Sequence, residues 1–309
     1  MFVSAPRPVA AGAGWPHLRR VVARDFAGPA VLAGDPGHRA HLRQYLSDLA
    51  APYGIALREG LFAGAHGQSY GEMAEVLLRD VLPAGESVDL LVLAFTVPDI
   101  RPGRATATYL SHICPGAPFA FAICDQGAAA GFTGLRLIRA YAGGARCPRA
   151  VLLVVEQAAL HYEPAAAAPV PTGHAGVALL LGPRGTVGLH GVRQRAGLTP
   201  ATARALIEAE LAKPGTLLAG PGLAAFYPAA ADRAGVRLGP AGRPYTGLWA
   251  ALADELSGPA TGPRLIRLAE YDPTLGYLCL STMDVRGTTE LGGDARDATT
   301  TSPVELGAA

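Results

Sequence analysis

The sequence predicts an α/β fold in which helices cover both faces of a parallel or mixed sheet. Between residues 87 and 156, apolar runs of strand length alternate with segments whose apolar residues recur at helical spacing. After residue 199 a second, shorter series repeats this alternation. Alternating strands and helices are typical of right-handed crossover units, whose helices pack on both faces of the sheet.

The first series begins with a helix over residues 70–82, in which Met73, Leu77 and Val81 share one face. Three apolar runs follow that are typical of strands buried on both faces. They span residues 87–96, 118–124 and 149–156. Helices are expected between them, over 105–113 and 128–141, the second with Phe132 on its apolar side. Residues 161–171 are expected to form a loop, and residues 174–181 a further strand.

The second series begins at Thr199, which is suited to cap a helix over 199–213 because Pro200 follows at the first helical position. The remaining apolar segments predict a helix over 245–256 and strands over 216–219, 264–268 and 276–283. We therefore expect an N-terminal half over residues 1–170 and a C-terminal half over 171–283. Residues 284–309 are polar and aperiodic, which predicts a disordered tail.

The composition excludes several functional classes. A net charge of +1 over 309 residues gives no reason to expect a nucleic acid or an anionic membrane as partner. No apolar run approaches the roughly 20 residues that span a bilayer, and the first residues lack the apolar region of a secretory signal. The four cysteines form no CxxC pair, so neither a disulfide framework nor a metal site is expected. These features predict a cytoplasmic protein.

The order of elements resembles the thiolase fold, two similar α/β halves stacked in five layers. The resemblance is to the ketosynthase III branch, the 3-oxoacyl-ACP synthase III-like enzymes, and covers about residues 70–181 most specifically. Its residues are the segments VDLLVLAFTVPDIRPGRATATYLSHICPGAPFAFAIC, RAVLLVVEQ and TGHAGVALLL, with RPYTGLWAALADEL and YDPTLGYLCLSTMD in the second half. The first 65 residues match poorly.

The resemblance implies covalent acyl transfer, which in this family needs a Cys at a helix N-terminus and a His and an Asn from the second half. This sequence departs from the pattern at all three positions. The nucleophile position falls on Gln126, or on Gly127 if the register shifts by one, and the Asn falls on Gly247. Gly220 or Pro221 replaces the His. None of these residues can be a nucleophile or a proton shuttle.

A Gln at the nucleophile position resembles the chain-length factors of aromatic polyketide synthases, which are inactive subunits paired with an active ketosynthase. The resemblance therefore implies a non-catalytic subunit that forms a heterodimer with a Cys-bearing ketosynthase III homologue and shapes its acyl pocket. No cofactor is expected. An acyl-phosphopantetheine thioester is the implied substrate, with an acyl carrier protein as a further partner.

Cys124 leaves one enzymatic alternative open: an acyltransferase of the same fold that uses Cys124 as nucleophile. Asp125 beside it is expected to raise the pKa of the thiol, and a structural role for this cysteine is the competing interpretation. A third reading is that the second half is aligned wrongly and a His elsewhere supplies the base.

Several other residues remain as candidates for pocket or surface roles. His161, His174 and Phe132 lie in the matching region and are candidate pocket residues, although structural roles explain them equally well. Four arginines are candidates for binding a carrier protein or are simply solvated helix ends: Arg136, Arg139, Arg146 and Arg149.

Overall fold

The computed structural model describes residues 16–143, 147–164, 169–258 and 262–286. Its ten strands are β1 His17–Phe26, β2 Leu90–Ala94, β3 Phe119–Ile123, β4 Ala150–Glu156, β5 His174–Gly182, β6 Val187–Arg195, β7 Thr216–Ala219, β8 Val236–Leu238, β9 Arg264–Asp272 and β10 Tyr277–Val285. Its eight helices are α1 Pro36–Ala50, α2 Gly60–Ala63, α3 Tyr70–Val81, α4 Thr106–Ile113, α5 Ala130–Ala142, α6 Pro200–Leu211, α7 Pro221–Phe226 and α8 Gly247–Ser257.

The strand order is an internal repeat. In the first half the order is β3-β2-β4-β5-β1, and in the second half β8-β7-β9-β10-β6. In the first half β5 is antiparallel to both β1 and β4, whereas β4, β2 and β3 run parallel to one another. In the second half β10 is antiparallel to both β6 and β9, whereas β9, β7 and β8 run parallel to one another. The halves join through two residue pairs between β1 and β6. Thus β1 to β5 correspond to β6 to β10.

Helices form three layers around these two half-sheets. Alternate residues of β2 and β4 face opposite sides, with Leu91 and Leu93 toward α3 and Leu90 and Val92 toward α5. The central core contains α5 and α8 together with residues of both halves, among them Phe132 and Leu268. α6 and α7 cover the outer face of the second half. The result is the expected five-layered αβαβα sandwich.

Most predicted elements of the two series are present within two or three residues of the expected limits. Thr199 caps α6 as expected, since its hydroxyl accepts from the Thr202 amide and Pro200 follows it. The predicted halves divide at a different place: β5 pairs with β4 and β1, so residues 174–182 belong to the first half rather than the second. The first copy of the repeat therefore ends with β5, and the second begins with β6.

The first residues of the predicted disordered tail are instead part of a strand. Asp284 and Val285 continue β10 and pair with Leu265 and Arg264 of β9. Residues 287–309, which make up the rest of that predicted tail, lie outside the described residues.

Candidate functional site

The turn between β3 and α5 holds the degenerate nucleophile position. Asp125 and Gly127 both have left-handed backbone conformations, with φ of 60° and 50°. This tight turn leads through a single 3₁₀ turn at Gly127–Ala129 into α5. Gln126 and Gly127 therefore stand at the N-terminal end of a central helix, where the family's cysteine would be expected.

The Gln126 side chain folds back along α5. Its Oε1 accepts a hydrogen bond of 2.6 Å from the Thr133 hydroxyl, whose oxygen accepts in turn from Gln194 Nε2 at 3.0 Å. Gln194 also accepts from Arg136 at 2.9 Å. The amide of Gln126 is thus held in a polar chain along the helix.

A carboxylate from the second half occupies the N-terminal end of this helix. Asp272, the last residue of β9, accepts from the Ala128 amide at 3.3 Å through Oδ2. Its Oδ1 accepts from the amides of Thr274 and Leu275 at 3.0 and 3.1 Å. A Cβ atom on Gly127 would overlap Asp272 Oδ2, so residue 127 can carry no side chain unless Asp272 moves.

Glu270 fills the space beside Gly220 in the same way. Its buried carboxylate accepts from the amide of Leu223, in the first turn of α7, at 2.8 Å and from that of Tyr271, in β9, at 2.9 Å. Burial raises the pKa of Glu270 to about 8, although these amides favour the charged form. A Cβ atom on Gly220 would overlap Glu270 Oε2. A histidine at residue 220 is therefore excluded in this arrangement.

The start of α8 is closed by Pro221 and capped by Glu156. A Cβ atom on Gly247 would lie 2.7 Å from Pro221 Cγ, closer than real side chains approach. Glu156, at the end of β4, accepts from the Tyr245 amide at 2.9 Å and the Thr246 hydroxyl at 2.5 Å. Burial raises the pKa of Glu156 to about 7. The space that the side chain of the family's Asn would need is thus occupied by the Pro221 ring.

A cavity of about 480 Å³ lies beside these positions. Ala128, Pro221 and Asp272 line it together. Gly247 lies behind this wall, against Pro221. Gly127, Gly220 and Gly247 each lack space for a side chain, whereas Gln126 carries one.

Cys124 is exposed at the end of β3. Partial burial, followed by the charge of Asp125 and a hydrogen bond to it, raises the pKa of the thiol. This is the direction expected from the sequence, and it is opposite to the shift that activates a nucleophilic cysteine.

The three candidate pocket residues have other surroundings. Phe132 packs against Trp249 in the central core with ring centroids 5.1 Å apart, and His161 lies against Phe62 at 4.8 Å. Burial lowers the pKa of His161 to about 4, so its ring is neutral at physiological pH. His174 Nδ1 accepts from the Ala158 amide at 3.2 Å. None of the three is among the described residues that line the cavity.

Three of the four arginines that are candidates for binding a carrier protein interact with other groups of this chain. Arg149 donates to Ser87 at 2.8 Å and lies 3.8 Å from the Asp89 carboxylate. Arg136 is held by Gln194, and Arg139 also has an interaction partner. Arg146 lies outside the described residues.

Sequence reasoning missed the residues that close the site, namely Glu156, Glu270 and Asp272. The signal available was the pair of acidic residues at the end of an apolar strand, in the segment LAEYD. Carboxylates at strand ends of α/β folds face helix N-termini, where amides and the helix dipole favour negative charge.

Within the four described ranges, no group of three or more His, Cys, Asp or Glu side chains is placed to hold a metal ion. In the same part of the chain no helix has both the length and the apolarity to cross a bilayer.

Comparison with known proteins identifies the fold. No protein-family model matches the sequence, and no curated protein matches it. Among solved structures, the acyltransferase ChlB3 superposes with a TM-score of 0.58 at 15% identity, over 88% of this chain and 98% of that one. A variant of Xanthomonas campestris OleA with bound lauric acid and lauroyl-CoA gives 0.58 at 13%, over 88% and 99%. AbyA1, a tetronic acid condensing enzyme, gives 0.50 at 16%, over 70% and 84%. The chain has the thiolase fold of condensing enzymes.

Proposed function

We propose that this chain is a non-catalytic, ketosynthase III-like subunit that pairs with an active, Cys-bearing chain of the same fold. Its role is to shape the acyl pocket of that partner in acyl or polyketide specialised metabolism. The observation that carries the proposal is that neighbouring groups fill the space beside the glycines at the degenerate positions. Asp272 fills it beside Gly127, the alternative nucleophile position, Glu270 beside Gly220 and Pro221 beside Gly247. Gln126 carries a side chain that cannot act as a nucleophile.

The state of the α5 turn argues against acyl transfer at this site. A condensing enzyme uses the amides and dipole of a helix N-terminus to stabilise a thiolate and then an oxyanion. Here the Ala128 amide already donates to Asp272. The negative charge of Asp272 would also oppose any second negative charge that developed beside it. The turn is therefore occupied by an anion that belongs to the chain itself.

The positions in the second half support the same conclusion. A neighbouring acidic or basic side chain could in principle take over the role of the lost histidine and leave the substrate pocket open. Instead, the carboxylate of Glu270 is used to cap α7 and Pro221 packs on Gly247. These contacts are structural, and they leave the second half without room for the family's two catalytic side chains.

The surface next to this turn supports pairing. β3 is the terminal strand of the first half, so its outer backbone edge has no neighbouring strand within the described chain. Phe119 is 55% exposed and forms an aromatic cluster with Phe121 and Tyr141, with ring centroids 5.6–5.9 Å apart. Because β3 leads directly into Cys124 and Asp125, a chain that covered this edge would lie beside the degenerate turn.

Co-expression with a Cys-bearing homologue of the same fold tests the pairing. With an affinity tag on this chain alone, we expect the homologue to co-purify in a 1:1 complex. Phe119→Lys should abolish co-purification, because it places a charge within the aromatic cluster on the edge strand. Tyr53→Lys is the matched control, since Tyr53 is 77% exposed elsewhere on the surface and should pair normally. A stable homodimer that never exchanges with the homologue would count against the proposal.

The acyltransferase alternative rests on the exposure of Cys124. An accessible thiol is necessary for such chemistry, but the thiolate is the reacting species. Burial and Asp125 both raise the pKa of Cys124, which reduces the thiolate fraction at neutral pH. This alternative therefore has weaker support than the non-catalytic role.

A further inference from the structure

The cavity beside the degenerate turn has walls of small and apolar residues. It lies between α7, the segment that follows β8 and the turn between β9 and β10. Of its described lining residues, the ones that bear on the argument are Ala128, Gly222, Ala224, Leu238, Tyr245 and Asp272. A volume of about 480 Å³ falls within the range of about 300–1,000 Å³ that is typical of small-molecule sites.

Two of the polar side chains at its walls have partners within the chain. Both Asp272 oxygens accept from backbone amides, and the Tyr245 hydroxyl donates to the Pro169 carbonyl at 2.7 Å. A ligand therefore finds an apolar surface that offers few free hydrogen-bonding groups. Such a surface favours aliphatic groups, whose burial is stabilising in proportion to their area.

The one acidic side chain among the described lining residues is Asp272. Glu270 lies behind Gly222, but burial raises its pKa to about 8, so it adds little negative charge at neutral pH. None of the described lining residues is a lysine or an arginine. A carboxylate or phosphate brought into this space would thus meet a like charge with no cation to balance it.

We propose that this cavity is a binding site for an uncharged aliphatic chain and that Asp272 excludes anionic head groups from it. The site holds its ligand without reacting with it, because the α5 amide that would polarise a thioester carbonyl is engaged by Asp272. Binding takes place in this chain by itself and needs no partner subunit. A failure of this proposal is therefore distinguishable from a failure of the pairing proposal.

Calorimetric titration of the isolated full-length chain with ligands that differ in head group tests the site. 1-Decanol is expected to bind at least tenfold more tightly than decanoate or decanoyl-CoA. Shortening the alcohol to 1-octanol should weaken binding by roughly fourfold for each methylene removed. Equal affinity for decanol and decanoate, or no detectable binding of decanol, would overturn the proposal.

Two variants assign the effect to this cavity. Asp272→Asn should bring decanoate to within about threefold of decanol by removing the like charge. Ala224→Trp places a large side chain on a half-buried lining residue of the cavity and should weaken decanol binding at least tenfold. Ala205→Trp, on the exposed face of α6, is the matched control and should bind decanol normally. Unchanged decanol affinity in Ala224→Trp would show that the alcohol binds elsewhere and would overturn the assignment.

Discussion

Glu156 and Asp272 each bind the turn that leads into a helix in the other's half of the molecule. Glu156 ends β4 of the first half and accepts from the amides of Tyr245 and Thr246, immediately before α8 in the second half. Asp272 ends β9, the counterpart of β4, and accepts from the Ala128 amide, in the 3₁₀ turn that leads into α5 in the first half. The internal repeat therefore reproduces the capping carboxylates as well as the strand order, and it ties the halves together across the central layer.

This reciprocal capping predicts that each carboxylate protects the helix of the other half. Asp272→Ala removes an acceptor at the start of α5 and should cost about 0.5–2 kcal/mol of stability. Hydrogen exchange measured by mass spectrometry should rise at residues 127–130 and stay unchanged at the start of α8. Glu156→Ala should give the opposite pattern. Equal changes at both helix ends in either variant would contradict the account.

The closed histidine position predicts a measurable steric cost. Gly220→Ala places a Cβ atom onto the Glu270 carboxylate, and overpacking of this kind costs about 1–3 kcal/mol. Urea unfolding should show that loss in the free energy of unfolding. Gly60→Ala is the control, because a Cβ atom on Gly60 meets nothing within 4 Å, and it should be neutral or slightly stabilising. A Gly220→Ala variant as stable as the wild type would show that Glu270 moves aside easily.

The buried Glu270 predicts a pH-dependent stability. Its pKa of about 8 in the folded chain exceeds the ordinary value of 4.5, so the folded state binds the proton more tightly than the unfolded state. Its contribution is therefore fully present below about pH 4.5 and is lost as the pH rises to about 8. Relative to the wild type, Glu270→Gln should gain stability between pH 5 and pH 9, on the order of a few kcal/mol.

Urea unfolding at pH 5, 7 and 9 measures this difference between wild type and Glu270→Gln. Glu163→Gln is the matched control, because the Glu163 side chain is 62% exposed and the substitution should leave the pH dependence as it is. A constant difference between wild type and Glu270→Gln across this pH range would mean that Glu270 is ionised throughout.

The environment of Cys124 predicts slow reaction with electrophiles. Alkylation by iodoacetamide at pH 8 should be slower than that of free cysteine, because burial and Asp125 raise the thiol pKa. Asp125→Asn should speed the reaction, because it removes a charge and a hydrogen bond that raise the pKa of the thiol. Peptide mapping separates Cys124 from the buried Cys114 and Cys279. Faster alkylation than free cysteine would favour the nucleophilic alternative.

The core strands could be predicted from the sequence because their signal is local. β2 and β4 are buried along their whole length, and that burial appears as continuous apolar runs. β1 was missed because it mixes buried Leu18 with exposed arginines such as Arg20. The helix α1 was also missed: it buries Leu42, Leu46 and Ala50, but polar and small residues fill most of its other positions.

The candidate site was predictable only in part. The resemblance identified Gln126, Gly220 and Gly247, and the structure places Gly247 against Pro221, the residue after Gly220. The groups that lie against these positions could not be predicted, because they are distant in sequence. Asp272, for example, is 144 residues from Ala128, whose amide donates to it. A glycine in the sequence indicates a missing side chain, but it does not indicate which distant group occupies the space.

Intact-protein mass spectrometry with a panel of acyl thioesters tests the central claim most directly. The purified chain and its complex with a Cys-bearing homologue are incubated with acetyl-, octanoyl- and lauroyl-CoA. We expect no added acyl mass on this chain in either sample, and loading on the homologue alone. An acyl adduct on this chain that disappears in Cys124→Ala would contradict the non-catalytic assignment and identify an acyltransferase with a displaced nucleophile.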